Sequence, residues 1–236
     1  KRLLLLTLLL LGAGRVLAQG EYYDQRRSLF EVLPIRSSDI VFLAHITDGG
    51  EWAELFDNRH VRNRGISGDQ TGWMLGRLDP ILAGHPKRLF LMIGTNDLAV
   101  GISPDEVVAN IARIIERFQT EFALDTAFVQ SILPVTGGDF SKFKGHYAHA
   151  DAIVETNRLL QALCEEKGVT YIDLWPALAN ADGLLDSRYT NDGLHLVGEG
   201  YLVWRDALKP YVSSRMPLSN PIFRRIGRWP TSRASG

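Results

Sequence analysis

From Asp39 onward, the hydrophobic residues fall into short continuous runs separated by longer stretches with helical spacing. Short continuous apolar runs are typical of strands that are buried on both faces of a sheet. We expect four central strands, at residues 40–43, 89–93, 127–133 and 169–172. Because these runs alternate with helical patterns, the sequence predicts an α/β domain with a parallel sheet and crossover helices.

Two helices are predicted in most detail. The sequence Ser103-Pro104-Asp105-Glu106 is a capping box with proline at the first helical position. The apolar residues that follow it share one helical face: Val107, Ile111, Ile114, Ile115, Phe118 and Phe122. A second helix is predicted over residues 148–167, and Gly168 is expected to end it in a left-handed conformation.

Composition narrows the class of protein. A chain of 236 residues with 45% hydrophobic and 22% charged residues is most simply one globular domain with a sizeable core. The formal net charge of -1 gives no electrostatic reason to expect a nucleic-acid partner. The single cysteine, Cys164, excludes an internal disulfide, and its place on a helix face predicts a buried thiol.

The two ends of the chain differ from the domain. Lys1 and Arg2 precede an apolar run at residues 3–11 that is too short to span a bilayer, which predicts a secretory signal peptide at residues 1–18. The mature protein would then be secreted or periplasmic, without a membrane span; an uncleaved anchor is the alternative. We expect an N-terminal extension at 19–38, a catalytic-type domain at 39–212, and an arginine-rich tail at 213–236 that wraps the domain or frays.

Four turns after predicted strands or near the C-terminus carry unusual residues. They are VFLAHITDGGEW at residues 41–52, NRGISGDQTG at 63–72, IGTNDL at 93–98 and YTNDGLHL at 189–196. Ligands of open parallel sheets bind at the carboxyl ends of the strands, so we expect these turns to meet at one site. Each turn alone is ordinary loop chemistry, but their order along the chain is informative.

These four turns resemble the blocks of the SGNH hydrolases, the GDSL-type esterase and lipase superfamily, over about residues 39–211. The resemblance implies a flavodoxin-like three-layer α/β/α sandwich with a mainly parallel sheet of about five strands. It also implies ester hydrolysis without a cofactor or metal. His195 would be the general base, Asp192 would orient it, and the Gly68 N–H and the Asn96 side-chain amide would form the oxyanion hole.

The first block departs from the family pattern, because no serine follows the strand at residues 40–43. Three explanations remain open. A chemically modified serine stands between His45 and Ile46 and is missing from the sequence as written; or the chain is a binding protein that keeps the pocket; or Thr47 replaces the serine. We favour the first, because deleting one residue from a strained turn would also disturb its geometry.

The substrate is less well defined. The polar stretch 136–151 is expected to overhang the site, where Phe140, Phe143 and Tyr147 would stack on a sugar or hold an acyl chain, or only pin the loop. Trp52, beside the first turn, is a further candidate substrate-binding residue.

The function expected from the resemblance is that of secreted bacterial carbohydrate O-acetylesterases, which act on small-molecule or carbohydrate esters. The alternatives are a lysophospholipase or thioesterase of the same superfamily and a catalytically inactive carbohydrate-binding relative. His146, His149 and Asp151 match no common set of metal ligands, so we expect no metal site.

Overall fold

Five parallel strands form a single sheet in the order β2-β1-β3-β4-β5. The computed structural model describes residues 20–121, 126–138 and 140–213. The strands are β1 (Ile40–Ala44), β2 (Val61–Asn63), β3 (Arg88–Met92), β4 (Ala127–Gln130) and β5 (Thr170–Ile172). The predicted parallel α/β sheet is therefore confirmed.

The helices of the described residues precede, connect and follow these strands. They are α1 (20–32), α2 (Trp52–Leu55), α3 (Thr71–Leu75), α4 (Asp79–Leu82), α5 (Thr95–Ala99), α6 (Pro104–Glu121), α7 (Lys144–Ala148), α8 (Ala150–Lys167), α9 (Trp175–Leu178) and α10 (Gly198–Val212). Two short 3₁₀ helices, Ile46–Gly49 and Ser187–Tyr189, lie close to the turns singled out in the sequence.

Each face of the sheet carries its own hydrophobic core. Side chains along a strand alternate between the faces, so Val41 and Leu43 of β1 pack with α6 and α8, whereas Ile40 and Phe42 pack with α10. Because helices cover both faces, the central strands β1, β3 and β4 are mainly apolar runs without polar alternation. The domain is thus the three-layer α/β/α sandwich expected from the resemblance.

The local helix signals act as the sequence predicts. The Glu106 N–H donates to Ser103 Oγ at 3.2 Å, and Gly168 has φ of 68° in the left-handed region. The second helix differs at its start, because a break at His149 separates α7 from α8. Phe122, expected on the apolar face of α6, lies outside the described residues.

Both predicted terminal segments fall largely outside the described residues. The proposed signal peptide at 1–18 and the tail from residue 214 are among the parts not described, so they remain predictions. Within the described ranges, none of the helices has the length and apolar character needed to cross a membrane. The segment before β1 forms α1, whose Tyr22 hydroxyl donates to Asp48 Oδ2 at 2.6 Å.

We expect Cys164 to react very slowly with thiol reagents in the native protein. Its side chain is 1% exposed in the core beneath α8, and burial raises the pKa of the thiol to about 12. The reactive thiolate is therefore scarce at neutral pH. Reaction with a chromogenic disulfide should be complete in denaturant and negligible without it; rapid labelling of the folded protein would show that this helix face opens.

Candidate active site

The candidate site lies at the carboxyl ends of β1 and β3. After β1 the chain forms β2 on one side of β1, and it then crosses to form β3 on the other side of β1. The connections therefore diverge at this point, which leaves a crevice outside the strand ends, the usual binding position in open parallel sheets. The turns that begin at His45 after β1 and at Ile93 after β3 border this crevice.

His195 and Asp192 form a hydrogen-bonded pair. His195 Nδ1 lies 2.8 Å from Asp192 Oδ2, while Asp192 Oδ1 accepts the N–H groups of Leu194 and His195 at 3.0 and 2.8 Å. Partial burial opposes ionisation of Asp192, but these hydrogen bonds outweigh it and hold its pKa below the usual value. An ionised Asp192 fixes the proton on Nδ1, so Nε2 of the neutral ring is left as a base.

The sharp turn between Asp192 and His195 depends on glycine. Gly193 has φ of 86°, and a Cβ atom there would collide with the Thr136 carbonyl oxygen and the Phe140 side chain. The Thr136 N–H in turn donates to the Gly193 oxygen at 2.9 Å. The dyad loop is therefore held against the segment that follows β4.

Asn96 and Gly68 lie on neighbouring loops. Asn96 Nδ2 donates to the Asp69 carbonyl oxygen at 3.0 Å, which places the amide beside the Asp69–Gln70 peptide, one residue beyond Gly68. Gly68 has φ of 80°, a conformation that favours glycine. The structure thus brings the Asn96 side chain to the residue next to Gly68, although Asn96 and Gly68 are 28 positions apart in the sequence.

A buried ion pair supports the Gly68 loop. Arg77 donates from Nη2 and Nε to Asp69 Oδ2 at 2.6 and 2.9 Å, and from Nη1 to the Arg64 oxygen at 2.8 Å. The side chains of Arg77 and Asp69 are 3% and 0% exposed. Charges this deeply buried hold a fixed geometry only when they are paired. Sequence analysis missed this pair, since an Asp and an Arg eight positions apart carry no specific signal.

His45 lies in the turn after β1, next to the position where the resemblance places a nucleophilic serine. His45 is 6% exposed, and neither ring nitrogen has a hydrogen-bond partner. It lines a small cavity together with Thr95, Pro134 and Leu194. Burial, and secondarily the nearby His195 and His146, lower its pKa to about 3. His45 is therefore a neutral side chain at the inner end of the site.

Thr47 is poorly placed to act as a nucleophile. Its side chain is 1% exposed and its hydroxyl donates to the Ala44 carbonyl oxygen at 3.1 Å. Its own carbonyl oxygen accepts from the Trp52 indole at 2.9 Å, which holds the 3₁₀ turn in place. The hydroxyl is therefore buried and engaged in the hydrogen bond that holds the turn.

We expect His45 to make the protein less stable in acid. Above pH 6.5, the ordinary pKa, the ring is neutral in both the folded and the unfolded state and the stability is complete. Below that value the unfolded chain binds a proton that the folded protein excludes until about pH 3, so the free energy of unfolding falls. One such proton contributes about 1.4 kcal/mol per pH unit.

Urea unfolding of the protein and of His45→Leu between pH 7 and pH 4 measures this contribution. His146 has a pKa lowered in the same direction and stays in both proteins, so only the difference between them reports His45. The variant should show the shallower dependence on pH. Parallel curves would mean that His45 is hydrated in the folded state.

The segment after β4 covers the site, as expected. We call residues 136–138 and 140–148 the covering segment. Its Phe143 ring packs edge-on against the His195 ring at 4.9 Å, and its Tyr147 ring lies against Gly137. Phe140 contacts Gly193, and Tyr147 is 41% exposed. Phe143 therefore pins the base, whereas Tyr147 retains an accessible surface.

Trp52 is a correction to the predicted substrate-binding residues. It is 1% exposed and packs at 4.7 Å from the Trp204 ring and 4.9 Å from the Phe42 ring. Helix α2 directs this side chain towards the sheet, where it packs between Phe42 of β1 and Trp204 of α10. Trp52 thus has no surface that a substrate could contact.

His146 is a site residue that sequence analysis did not assign to catalysis. Its Nε2 lies 3.1 Å from Asn96 Oδ1, and its ring is 5.5 Å from the Phe143 ring. Burial and the neighbouring His195 and His149 lower its pKa, although Asp192 opposes this. In the parts of the chain that the structure describes, no group of histidine, cysteine and acidic residues could hold a metal ion.

We expect Asn96→Ala to lower kcat by about 10²-fold with little change in KM, because the amide would act mainly on the transition state. Steady-state kinetics on a short-chain ester measures both constants. Asn110→Ala is a suitable control, since its amide donates to Thr71 Oγ1 on the α6 side of the same region. An unchanged kcat in Asn96→Ala would remove this residue from the oxyanion hole.

Comparison with known proteins gives the family. The model of the GDSL-like Lipase/Acylhydrolase family matches residues 47–203. The platelet-activating factor acetylhydrolase IB subunit alpha1 of Bos taurus is 28% identical over 157 residues, which cover 64% of this chain and 62% of the relative. The match therefore spans less than two thirds of that relative's length.

Solved structures show the same architecture. A protein from Streptococcus pneumonia, described as a candidate platelet activating factor, has a TM-score of 0.76 at 28% identity, covering 88% of this chain and 99% of the other. An acetylxylan esterase from Geobacillus stearothermophilus has a TM-score of 0.60 at 16% identity, covering 76% and 96%, which shows the fold alone.

The family match starts at Thr47, within the turn that lacks the serine, and runs through residues 68 and 96 to the dyad loop. The five-stranded parallel sheet agrees with that match. This chain belongs to the GDSL-like lipase/acylhydrolase family, within the SGNH superfamily.

Proposed function

We propose that this protein hydrolyses short-chain esters, chiefly acetyl esters of carbohydrates. The observation that carries the proposal is the Asp192–His195 pair, with a 2.8 Å hydrogen bond that leaves Nε2 as a base, in the same crevice as the Asn96 amide. A base together with an oxyanion donor is what acyl transfer requires.

The nucleophile in this proposal is a serine between His45 and Ile46. His195 Nε2 would take the hydroxyl proton as the serine oxygen attacks the ester carbonyl, and would then return it to the departing alcohol. Water, activated by the same ring, would release the acid and restore the serine. The amide of Asn96 and the N–H of Gly68 would hold the negative oxygen in both steps.

The acetyl preference is supported by the small space at the inner end of the site. The cavity beside His45 has a volume of about 10 Å³, which is room for one water and too little for a long acyl chain. The matched relative and the Geobacillus neighbour are both named for acetyl esters. These names support a preference for acetyl esters.

A lysophospholipase or thioesterase activity is the rival within the family. A groove of about 320 Å³ between the turn at Gly49 and the start of α10 favours it, because Leu55, Tyr201 and Leu202 give the groove an apolar lining. p-Nitrophenyl esters from acetate to decanoate distinguish the two activities. The acetate ester should have the highest kcat/KM, and a preference for long acyl chains would contradict the acetylesterase proposal.

A ligand-binding relative without catalysis is the second candidate. The observation that favours it is that Thr47, the only hydroxyl residue in the turn as written, is buried and hydrogen-bonded to Ala44. Intact mass and a peptide map across residues 44–48 decide between the candidates. An added serine supports the esterase, whereas a direct His45–Ile46 bond together with no ester hydrolysis supports the binding relative.

A further inference from the structure

The contact between the covering segment and the oxyanion donor carries an inference that rests on the proposed function. His146 of α7 meets Asn96 of α5 at 3.1 Å, although the two residues are 50 positions apart. The mechanism above uses Asn96 but gives His146 no role. Both side chains are partly buried beside the dyad loop.

Hydrogen-bond chemistry fixes the orientation of the Asn96 amide. The Asp69 carbonyl oxygen can only accept a hydrogen bond, so the Asn96 atom that faces it at 3.0 Å must be the nitrogen. The atom that faces His146 is then Asn96 Oδ1, which also can only accept. His146 must therefore carry a proton on Nε2.

This arrangement leaves one N–H of Asn96 unassigned. Of the two hydrogens on Nδ2, one is bound by the Asp69 oxygen. The His146 hydrogen bond prevents the amide from rotating, so the second N–H keeps a fixed direction. An oxyanion donor is effective because it is oriented before the reaction begins.

We propose that His146 is a positioning residue, which donates from Nε2 to Asn96 and thereby aligns the oxyanion donor with the base. The same segment reaches both halves of the site. Phe143 packs on the His195 ring at 4.9 Å and on the His146 ring at 5.5 Å. The position of the covering segment thus determines the orientation of both the base and the oxyanion donor.

Two variants separate the hydrogen bond from simple packing. His146→Leu removes the donor and keeps an apolar side chain, and we expect kcat to fall about 10-fold with KM nearly unchanged, less than for loss of the amide itself. His146→Gln can place an amide N–H near the position of Nε2 and should recover most of the rate. His149→Leu is the matched control, because the described hydrogen bond of the His149 ring goes to the Gly145 oxygen of α7 and not to Asn96.

Nuclear magnetic resonance gives a readout that does not depend on activity. In protein labelled with ¹⁵N-asparagine, the Asn96 side-chain signal is assigned by its loss in Asn96→Ala. It should shift in His146→Leu, return in His146→Gln and stay unchanged in His149→Leu. The Asn157 amide, which is fixed by Ile132 at 2.8 Å on both sides, reports that the fold is intact.

The tautomer of His146 is measured in the unmodified protein, so the test holds even if His146→Leu does not fold. A ¹⁵N spectrum of the histidine rings should show His146 protonated on Nε2 at neutral pH. Protonation on Nδ1 alone, an unmoved Asn96 signal in His146→Leu, or no recovery in His146→Gln would each overturn the proposal. If the protein hydrolyses no ester, the proposed function fails, and the two spectra still decide whether His146 positions Asn96.

Discussion

His195→Ala should reduce kcat for ester hydrolysis by about 10⁶-fold, because the base and the nucleophile act as a unit. In the proposed mechanism, His195 both accepts the proton of the nucleophile and donates it to the departing alcohol. The 2.8 Å hydrogen bond to Asp192 holds the ring in one orientation, as this role would require. Kinetics with p-nitrophenyl acetate measures the loss, and the residual rate should be that of oxyanion stabilisation alone, about 10³- to 10⁴-fold over water.

A serine-directed phosphonate provides the companion measurement. It should label the unmodified protein once, between His45 and Ile46, and should fail to label His195→Ala. His60→Ala is the control, because His60 contacts Asp39 at the start of β1, at the opposite end of the strand. Equal labelling of the protein and of His195→Ala would exclude His195 as the base. No labelling of either would remove the serine from the proposal.

Arg77→Met should cost about 3 to 5 kcal/mol of unfolding free energy, the largest stability effect that we expect. The substitution leaves the Asp69 carboxylate buried at 0% exposure without its cation. It also frees the Gly68 loop, so kcat should fall as well. Equilibrium unfolding in urea measures the free energy.

Arg117→Met is the matched control for this effect. Arg117 also pairs with an aspartate, Asp79, at 2.7 Å, but the two side chains are 44% and 84% exposed. An exposed pair contributes only about 0 to 1 kcal/mol. Similar losses in Arg77→Met and Arg117→Met would show that the buried charge of Asp69 is neutralised or hydrated in another way.

The sequence predicted four of the five strands in the described residues. The missed strand, β2, shows why short edge strands are hard to predict from hydrophobic patterns. The central strands β1, β3 and β4 are buried on both faces, so each is largely a continuous apolar run. The prediction that β5 is also central was wrong, because β5 lies at the other edge of the sheet and its first two residues are only partly buried. β2 is an edge strand of three residues, Val61–Asn63, and only Val61 is fully buried. An arginine and an asparagine at such an edge give no periodic signal.

The residues of the candidate site were also predictable only in part. Asp192 and His195 are three positions apart, so one short turn joins them and the pair could be predicted from the sequence. Trp52 lies next to the first turn and was predicted to contact substrate, but the structure turns it into the core. Adjacency in sequence to a site residue does not fix the direction of a side chain.

The sequence by itself determined the alternation of strands and helices, the N-terminal cap of α6, the C-terminal cap of α8, and the Asp192–His195 pair, because each depends on residues within a few positions of one another. Only the tertiary structure decided the Asp69–Arg77 pair, the burial of His45 and the contact of His146 with Asn96. These depend on where separate loops meet at the end of the sheet, and that is set by packing of both cores at once. The turns with residues 45, 96 and 195 were expected to meet at the strand ends, but only the packing of the segment after β4 adds residue 146 to them, which no local pattern encodes.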